Sequence, residues 1–135
     1  MSQANVELVR AIYDRFRAGD TDGALGLQDP EIEIHDRPQA PDPQVYRGHK
    51  GVLAALSASQ EAFEGLDVVP EEFLEVGERV VVVFRFQGTG RGSGVPIDEQ
   101  LAHVWTVRSG KAVRVEVHSG RDEALSSAER AAAEP

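Results

Sequence analysis

The chain contains no cysteine, which excludes a disulfide framework, a thiolate metal site and a cysteine nucleophile. It is short of positive charge, with 14 Lys and Arg against 23 Asp and Glu and a formal net charge of −9. Nucleic acid and anionic membrane surfaces are therefore unsuitable partners. No stretch approaches 18 apolar residues, and the opening MSQANVELVR lacks an apolar signal core. The reading expects neither a membrane span nor a signal peptide, and places the protein in the cytoplasm. The rest is ordinary: 135 residues, 41% hydrophobic and 27% charged. That length and composition fit one globular domain over residues 1–135, with a frayed tail at 131–135.

The most informative stretch is Val95 to Ser119, VPIDEQLAHVWTVRSGKAVRVEVHS. It alternates with period two across a Ser109-Gly110 turn and reads as a β-hairpin. Leu101, His103, Trp105 and Val107 share one face of its first strand, opposite Gln100, Ala102, Val104, Thr106 and Arg108. In the second strand Val113, Val115 and Val117 share a face, opposite Arg114, Glu116 and His118. One imidazole, His103, thus rides in an apolar row.

Before the hairpin, Asn5 reads as a helix cap, followed by Val9, Ile12, Tyr13 and Phe16 at helical spacing and Gly19 as a stop. Asp20 caps a short second helix that Asp29-Pro30 ends. Glu31 to Asp36 alternates, with Ile32, Ile34 and Asp36 on the buried face. Pro38, Pro41 and Pro43 make Arg37 to Gly48 a surface loop, a candidate lid, before a third helix from Gly48 to Phe63. Leu66 to Val76 reads as a strand bulged near Pro70, and Val80 to Gln87 as a strand apolar on both faces. With one helix layer for one face, the other face (Val81, Val83, Ala102, Val104) is expected to meet a second subunit, giving a homodimer. A last helix runs from Arg121 to about Arg130. Helices grouped against an antiparallel sheet make the fold class α+β.

The runs IYDRFRAGDTDGAL, DPEIEIHD, VYRGHKGV and HVWTVRSGKAVRVEV, with RDEAL after them, resemble the SnoaL-like branch of the nuclear transport factor 2-like superfamily. The resemblance spans Val6 to Leu125. It implies a cone-shaped α+β domain, with a curved antiparallel sheet packed on about three helices around an internal pocket. The superfamily includes ketosteroid isomerases, polyketide cyclases, scytalone dehydratase, limonene epoxide hydrolase and many binding or adaptor modules, so fold alone does not give function. Asp36 matches the isomerase base at the end of the first strand. His103 takes the place of that family's protonated aspartate. The isomerase tyrosine falls on Ile12, with Tyr13 one position off, which argues against steroid isomerisation. The epoxide hydrolase's charged strand residues correspond to Leu101 with His103, and to Val115 and Val117, which disfavours that chemistry. The cyclase and dehydratase branches use a pocket Asp or His without metal or cofactor, and this sequence permits that.

Asp36 and His103 are accordingly the candidate catalytic pair, one as base and the other as acid or oxyanion donor towards an apolar carbonyl compound. Phe84, Phe86, Trp105, Tyr13, Ile12 and Val117 are the candidate substrate-binding residues. The plainer alternative makes His103 a satisfied core histidine and Asp36 a loop cap. Tyr46 and His49 flank the proline loop, with surface packing as their simplest role. GTGRGSG lacks the Gly-Lys-Ser/Thr ending and a following helix, so it reads as a hairpin connection and not a phosphate loop. There is no HExxH, and His35 and His118 alternate to the outer face, so no metal and no cofactor are expected. A noncatalytic ligand-binding protein, or an adaptor working through its outer sheet face, are the competing functions.

Overall fold

Val9, Ile12 and Tyr13, with Phe16 beside them, line one face of helix α1 (Gln3–Arg17) in the computed structural model, which describes residues 3–134. Asn5 lies inside this helix and does not cap it, because Gln3 and Ala4 are themselves good helix formers. Gly19, at φ 81°, ends it: Asp20 N–H donates to the Arg15 carbonyl (2.8 Å) and Gly19 N–H to that of Phe16 (3.1 Å). The Asp20 carboxylate then accepts the Gly23 N–H at 3.0 Å and starts the short α2 (Thr21–Leu25).

Six strands follow: β1 (Gln28–His35), β2 (Val45–Arg47), β3 (Phe63–Val76), β4 (Arg79–Gly90), β5 (Pro96–Arg108) and β6 (Lys111–His118). Helix α3 (Gly48–Ala62) joins β2 to β3, and α4 (Arg121–Ala133) closes the described chain. The strands form one curved, unclosed sheet in the order β2-β1-β6-β5-β4-β3. The α+β expectation holds, with two refinements. The sheet is mixed, since β1 pairs β6 in parallel; these two strands are far apart in sequence, and the long excursion between them permits that direction. The proline segment also yields a strand, β2, at its very end; it is a three-residue edge, where the ladder bonds only one way. On the other margin, β3 is fourteen residues long and breaks register at Glu64/Asp67 and at Pro70/Glu72, the bulge that Pro70 predicts.

Helices α1, α2 and α3 pack one face of the sheet around Ile32, Val80, Val82, Trp105, Val107 and Val115. Each such fully buried side chain contributes roughly 1.5–3 kcal/mol. The opposite face corrects the sequence reading. Val81, Ala102 and Val104 are covered by Ala124 and Ala128 of α4, with Leu74, Val76 and Leu125 at the edges. One small-residue face lets this helix lie close to the strands, so a single chain supplies a helix layer on both faces. The apolar patch that motivated a second subunit is filled from within. The expected fray at 131–135 is also later than read: α4 remains helical to Ala133, while residue 135 lies outside the described residues.

Ser109 (φ 52°) and Gly110 (φ 75°) make the two-residue turn between β5 and β6, both in the left-handed region that such a hairpin requires. The pairing slips just beyond it, between Thr106 and Val107. Ala112 therefore turns into the core and Val113 turns to the outer face, the reverse of the strict alternation. Register recovers at once, with Trp105 opposite Val115 and His103 opposite Val117.

Candidate functional site

Cross-strand register builds the site. Phe73, Val82, His103 and Val117 lie in one row across β3, β4, β5 and β6, on the face that carries Trp105 and Val115. Phe73 was missed in the sequence because the bulge at Pro70 hides the alternation of β3. Ile34 pairs with Val115 and His35 with Glu116. Continuing that register by one residue sets Asp36 beside Val117. Asp36 and His103 are thus separated by two strand spacings, roughly 10 Å between backbones.

Tyr13 of α1 reaches down onto this row. Its hydroxyl accepts the Trp105 Nε1–H at 2.8 Å and stands 2.5 Å from His103 Nδ1. Its ring meets Phe73 edge-on at 6.1 Å between centroids, and the Arg10 guanidinium covers the far side of Phe73 at 4.2 Å. The Phe84 ring lies over the His103 imidazole at 4.2 Å, tilted by 31°. Tyr13, Phe84, His103 and Trp105 are thus one contiguous cluster, with Ile12 in the core behind Tyr13 and Val117 flanking His103. Phe86 is further along β4, edge-on to Phe63 at 5.2 Å.

Burial sorts the cluster. Ile12, Tyr13, Phe84 and Trp105 are sealed, whereas Phe73, Leu101, His103 and Val117 are only half-buried. His103 stands where the closed core gives way to solvent-reached side chains. Desolvation pushes the Tyr13 phenol pKa up, opposed by the Trp105 bond, so the hydroxyl keeps its proton. Desolvation and, second, the His118 charge push the His103 pKa down to about 3, so its imidazole is neutral. Its Nε2 has no hydrogen-bond partner among the described residues, and it is not a fully enclosed atom; the one side-chain polar atom both enclosed and unpaired is Thr106 Oγ1.

Asp36 sits differently. It is half-buried just past the end of β1, and its Oδ2 accepts the Gln44 N–H at 2.9 Å, while its own N–H donates to the Gln44 carbonyl at 3.1 Å. These bonds close the proline loop. The carboxylate touches none of the Tyr13 cluster, and any joint action with His103 has to span a ligand. His49 Nε2–H donates to the Gln28 carbonyl (2.9 Å) and ties α3 to β1, and Tyr46 pairs with Ile34 in the β2 edge.

The outer face holds a second polar group. His118, buried under α4, bonds Glu123 through Nδ1 (3.0 Å) and Glu116 through Nε2 (3.3 Å). The Glu116 bond, first among its causes, raises the His118 pKa, and the same bond lowers that of Glu116 to about 2. This cluster clamps α4 onto β6. Near it a cleft of about 440 Å³ opens between Arg79, Thr106, Arg114, Glu33 and the end of α4. A second, of about 400 Å³, is lined by Ser57, Gln60, Glu61 and Arg91. Neither adjoins His103.

The SnoaL-like domain model matches residues 9–115 of the chain. Among solved structures, a nuclear transport factor 2-like protein of unknown function from Burkholderia pseudomallei is 27% identical, with a TM-score of 0.76 over 93% of this chain and 97% of that one. TerC, co-crystallised with polyporic acid, is 28% identical, with a TM-score of 0.74 over 94% of this chain and 98% of that one. A SnoaL-like polyketide cyclase, so described by its sequence, from a Jannaschia species is 23% identical, with a TM-score of 0.76 over 100% and 96%, a likeness of fold. No curated protein matches the chain.

Proposed function

Since this chain belongs to the SnoaL-like domain family, we propose that it binds an apolar small molecule against the half-buried row at His103 and acts on it by cofactor-independent acid/base chemistry. The reaction class is isomerisation, cyclisation or dehydration of a carbonyl compound. His103 serves as acid or oxyanion donor, and Asp36 serves as the base that takes a proton from the carbon next to the carbonyl. The single observation that carries this reading is the state of His103. Its Nδ1 is occupied by Tyr13, it lies under Phe84 in an apolar row, and its Nε2 is open and unpaired among the described residues. Nε2 is thus available to a ligand atom in place of water. With a backbone separation of roughly 10 Å, the two groups would act from opposite ends of a ligand lying across Val117. That TerC was co-crystallised with polyporic acid supports a ligand in this fold at this level of identity.

One observation favours a noncatalytic binder as the second reading: the Asp36 carboxylate already accepts a loop N–H. An adaptor acting through its outer sheet face would have to use surface beyond Val81, Ala102 and Val104, which α4 covers. Incubating the protein with a panel of flat apolar ketones in D2O and following loss of the α-proton signal by NMR separates the first two. Catalysis predicts exchange that Asp36→Asn abolishes while ligand affinity stays within about threefold. Exchange that is unaffected in Asp36→Asn removes Asp36 as the base. Ligand-induced shifts without exchange leave the binder. The indole N–H of Trp105, the chain's single tryptophan, gives a one-peak reporter for a titration with polyporic acid.

A further inference from the structure

Resting on that reading of His103, we propose that Trp105 and Tyr13 are positioning residues that hold it as a hydrogen-bond donor through Nε2 alone. The site then takes a neutral carbonyl oxygen in a flat apolar frame and refuses carboxylates and amines. The argument is proton accounting. The indole Nε1 of Trp105 can only donate, so the Tyr13 oxygen accepts from it at 2.8 Å. Tyr13 has one proton of its own, and its hydroxyl is buried, so that proton needs an acceptor. His103 Nδ1, at 2.5 Å, is the acceptor at hand.

The other assignment, with Nδ1–H donating to Tyr13, makes the phenol oxygen a double acceptor. Its proton is then left without a partner among the described residues, at the cost of a buried unpaired donor. An imidazolium has the same defect, and no carboxylate among the described residues bonds His103 to offset its charge. Burial also holds the imidazolium form down. The neutral Nε2–H tautomer is what remains. The Phe84 ring lies over the imidazole at 4.2 Å, and a ring flip would forfeit the Tyr13 bond, so the direction of the N–H is fixed as well. Each donor in the chain Trp105, Tyr13, His103 polarises the next, which makes the terminal N–H a better donor.

Ligand class follows from this. A carbonyl oxygen satisfies Nε2–H with little desolvation. A carboxylate would give up its hydration for one neutral donor, in a chain of net charge −9. An ammonium or amine donor meets another donor.

The test is the long-range 1H–15N spectrum of the full chain labelled at histidine, with 2-acetylnaphthalene, 2-ethylnaphthalene and 2-naphthoate as probes. The expected result is a single neutral Nε2–H tautomer of His103 from pH 8 to pH 5. The Nε2 signal shifts with 2-acetylnaphthalene only, and that probe binds about tenfold tighter than the other two, the worth of one hydrogen bond. Tyr13→Phe mixes the tautomers and loses that selectivity, and Trp105→Phe, which frees the Tyr13 oxygen to accept from Nδ1–H, lets a minor Nδ1–H form appear. If Tyr13→Phe does not fold, the wild-type spectrum and Trp105→Phe still decide. An Nδ1–H tautomer, an imidazolium at pH 7, equal binding of the hydrocarbon or the acid, or no Nε2 shift with any probe overturns the proposal. The earlier reading fails separately: correct tautomer and selectivity without Asp36-dependent exchange removes catalysis only, and the reverse pattern removes this inference only.

Discussion

Removing one oxygen atom tests the architecture of the inner face. Tyr13→Phe keeps the ring that meets Phe73 but deletes the hydroxyl between Trp105 Nε1 and His103 Nδ1. The Trp105 N–H is sealed and becomes a buried unpaired donor, at about 1–3 kcal/mol. His103 is half-buried and can turn to water or change tautomer, so its share is smaller, on the order of 0.5–1 kcal/mol. The expected loss is therefore about 1.5–4 kcal/mol, read from urea denaturation by far-UV circular dichroism as a lower midpoint at unchanged slope. Tyr46→Phe is the control: that hydroxyl carries no side-chain hydrogen bond among the described residues, and the change should stay within about 0.5 kcal/mol. Combining Tyr13→Phe with Trp105→Phe should cost less than the sum, by about 0.5–2 kcal/mol, because the second change removes the group the first had orphaned. Strict additivity, or a neutral Tyr13→Phe, would refute the hydrogen-bond relay.

His103 and His118 should pull the pH dependence in opposite directions. The folded pKa of His103 is depressed to about 3 by burial, so the unfolded chain takes a proton that the fold refuses; stability falls as pH drops from about 6.5 towards 3, and His103→Gln should flatten that slope in denaturation at stepped pH. The His118 pKa is raised, chiefly by Glu116, so its contribution is complete below about 6.5 and is lost as pH rises through the folded value. His118→Gln should thus trail the wild type by about 1–3 kcal/mol at pH 6, with the gap closing at alkaline pH. Ala128→Asp places a charge where α4 seals Val81 and Val104; a loss of about 3 kcal/mol or more is expected in urea denaturation, and full stability with sedimentation unchanged from the wild type would show that the helix seals nothing.

Parity was the sound part of the sequence. Ile32, Ile34, His103, Trp105 and Val115 face inward as two-residue alternation requires; in β1 and β6 the other face is charged, and in β5 the bulky residues take the inner face and the small Ala102 and Val104 the outer one. Alternation failed where the backbone carries an extra residue. Val113 turns outward at a slip beside the hairpin turn, and Phe73 was hidden by the one at Pro70. The role of α4 was illegible for another reason. Its apolar stripe is built from Ala124 and Ala128, which are weak hydrophobic signals, and small residues matter only once a flat partner surface is known. Tyr13 shows the same limit at the site. Its spacing put it near the apolar stripe, but only the fold brings a helix hydroxyl between two ring nitrogens ninety or more positions away.

The long margin formed by β3 has a bearing on how copies of this protein meet one another. Fourteen residues of backbone with one side unladdered would ordinarily act as a template for a neighbouring chain. Here the two register breaks interrupt any continuous zipper, and Pro70 offers no amide proton. The same irregularity works against edge-to-edge pairing of crowded molecules along this rim.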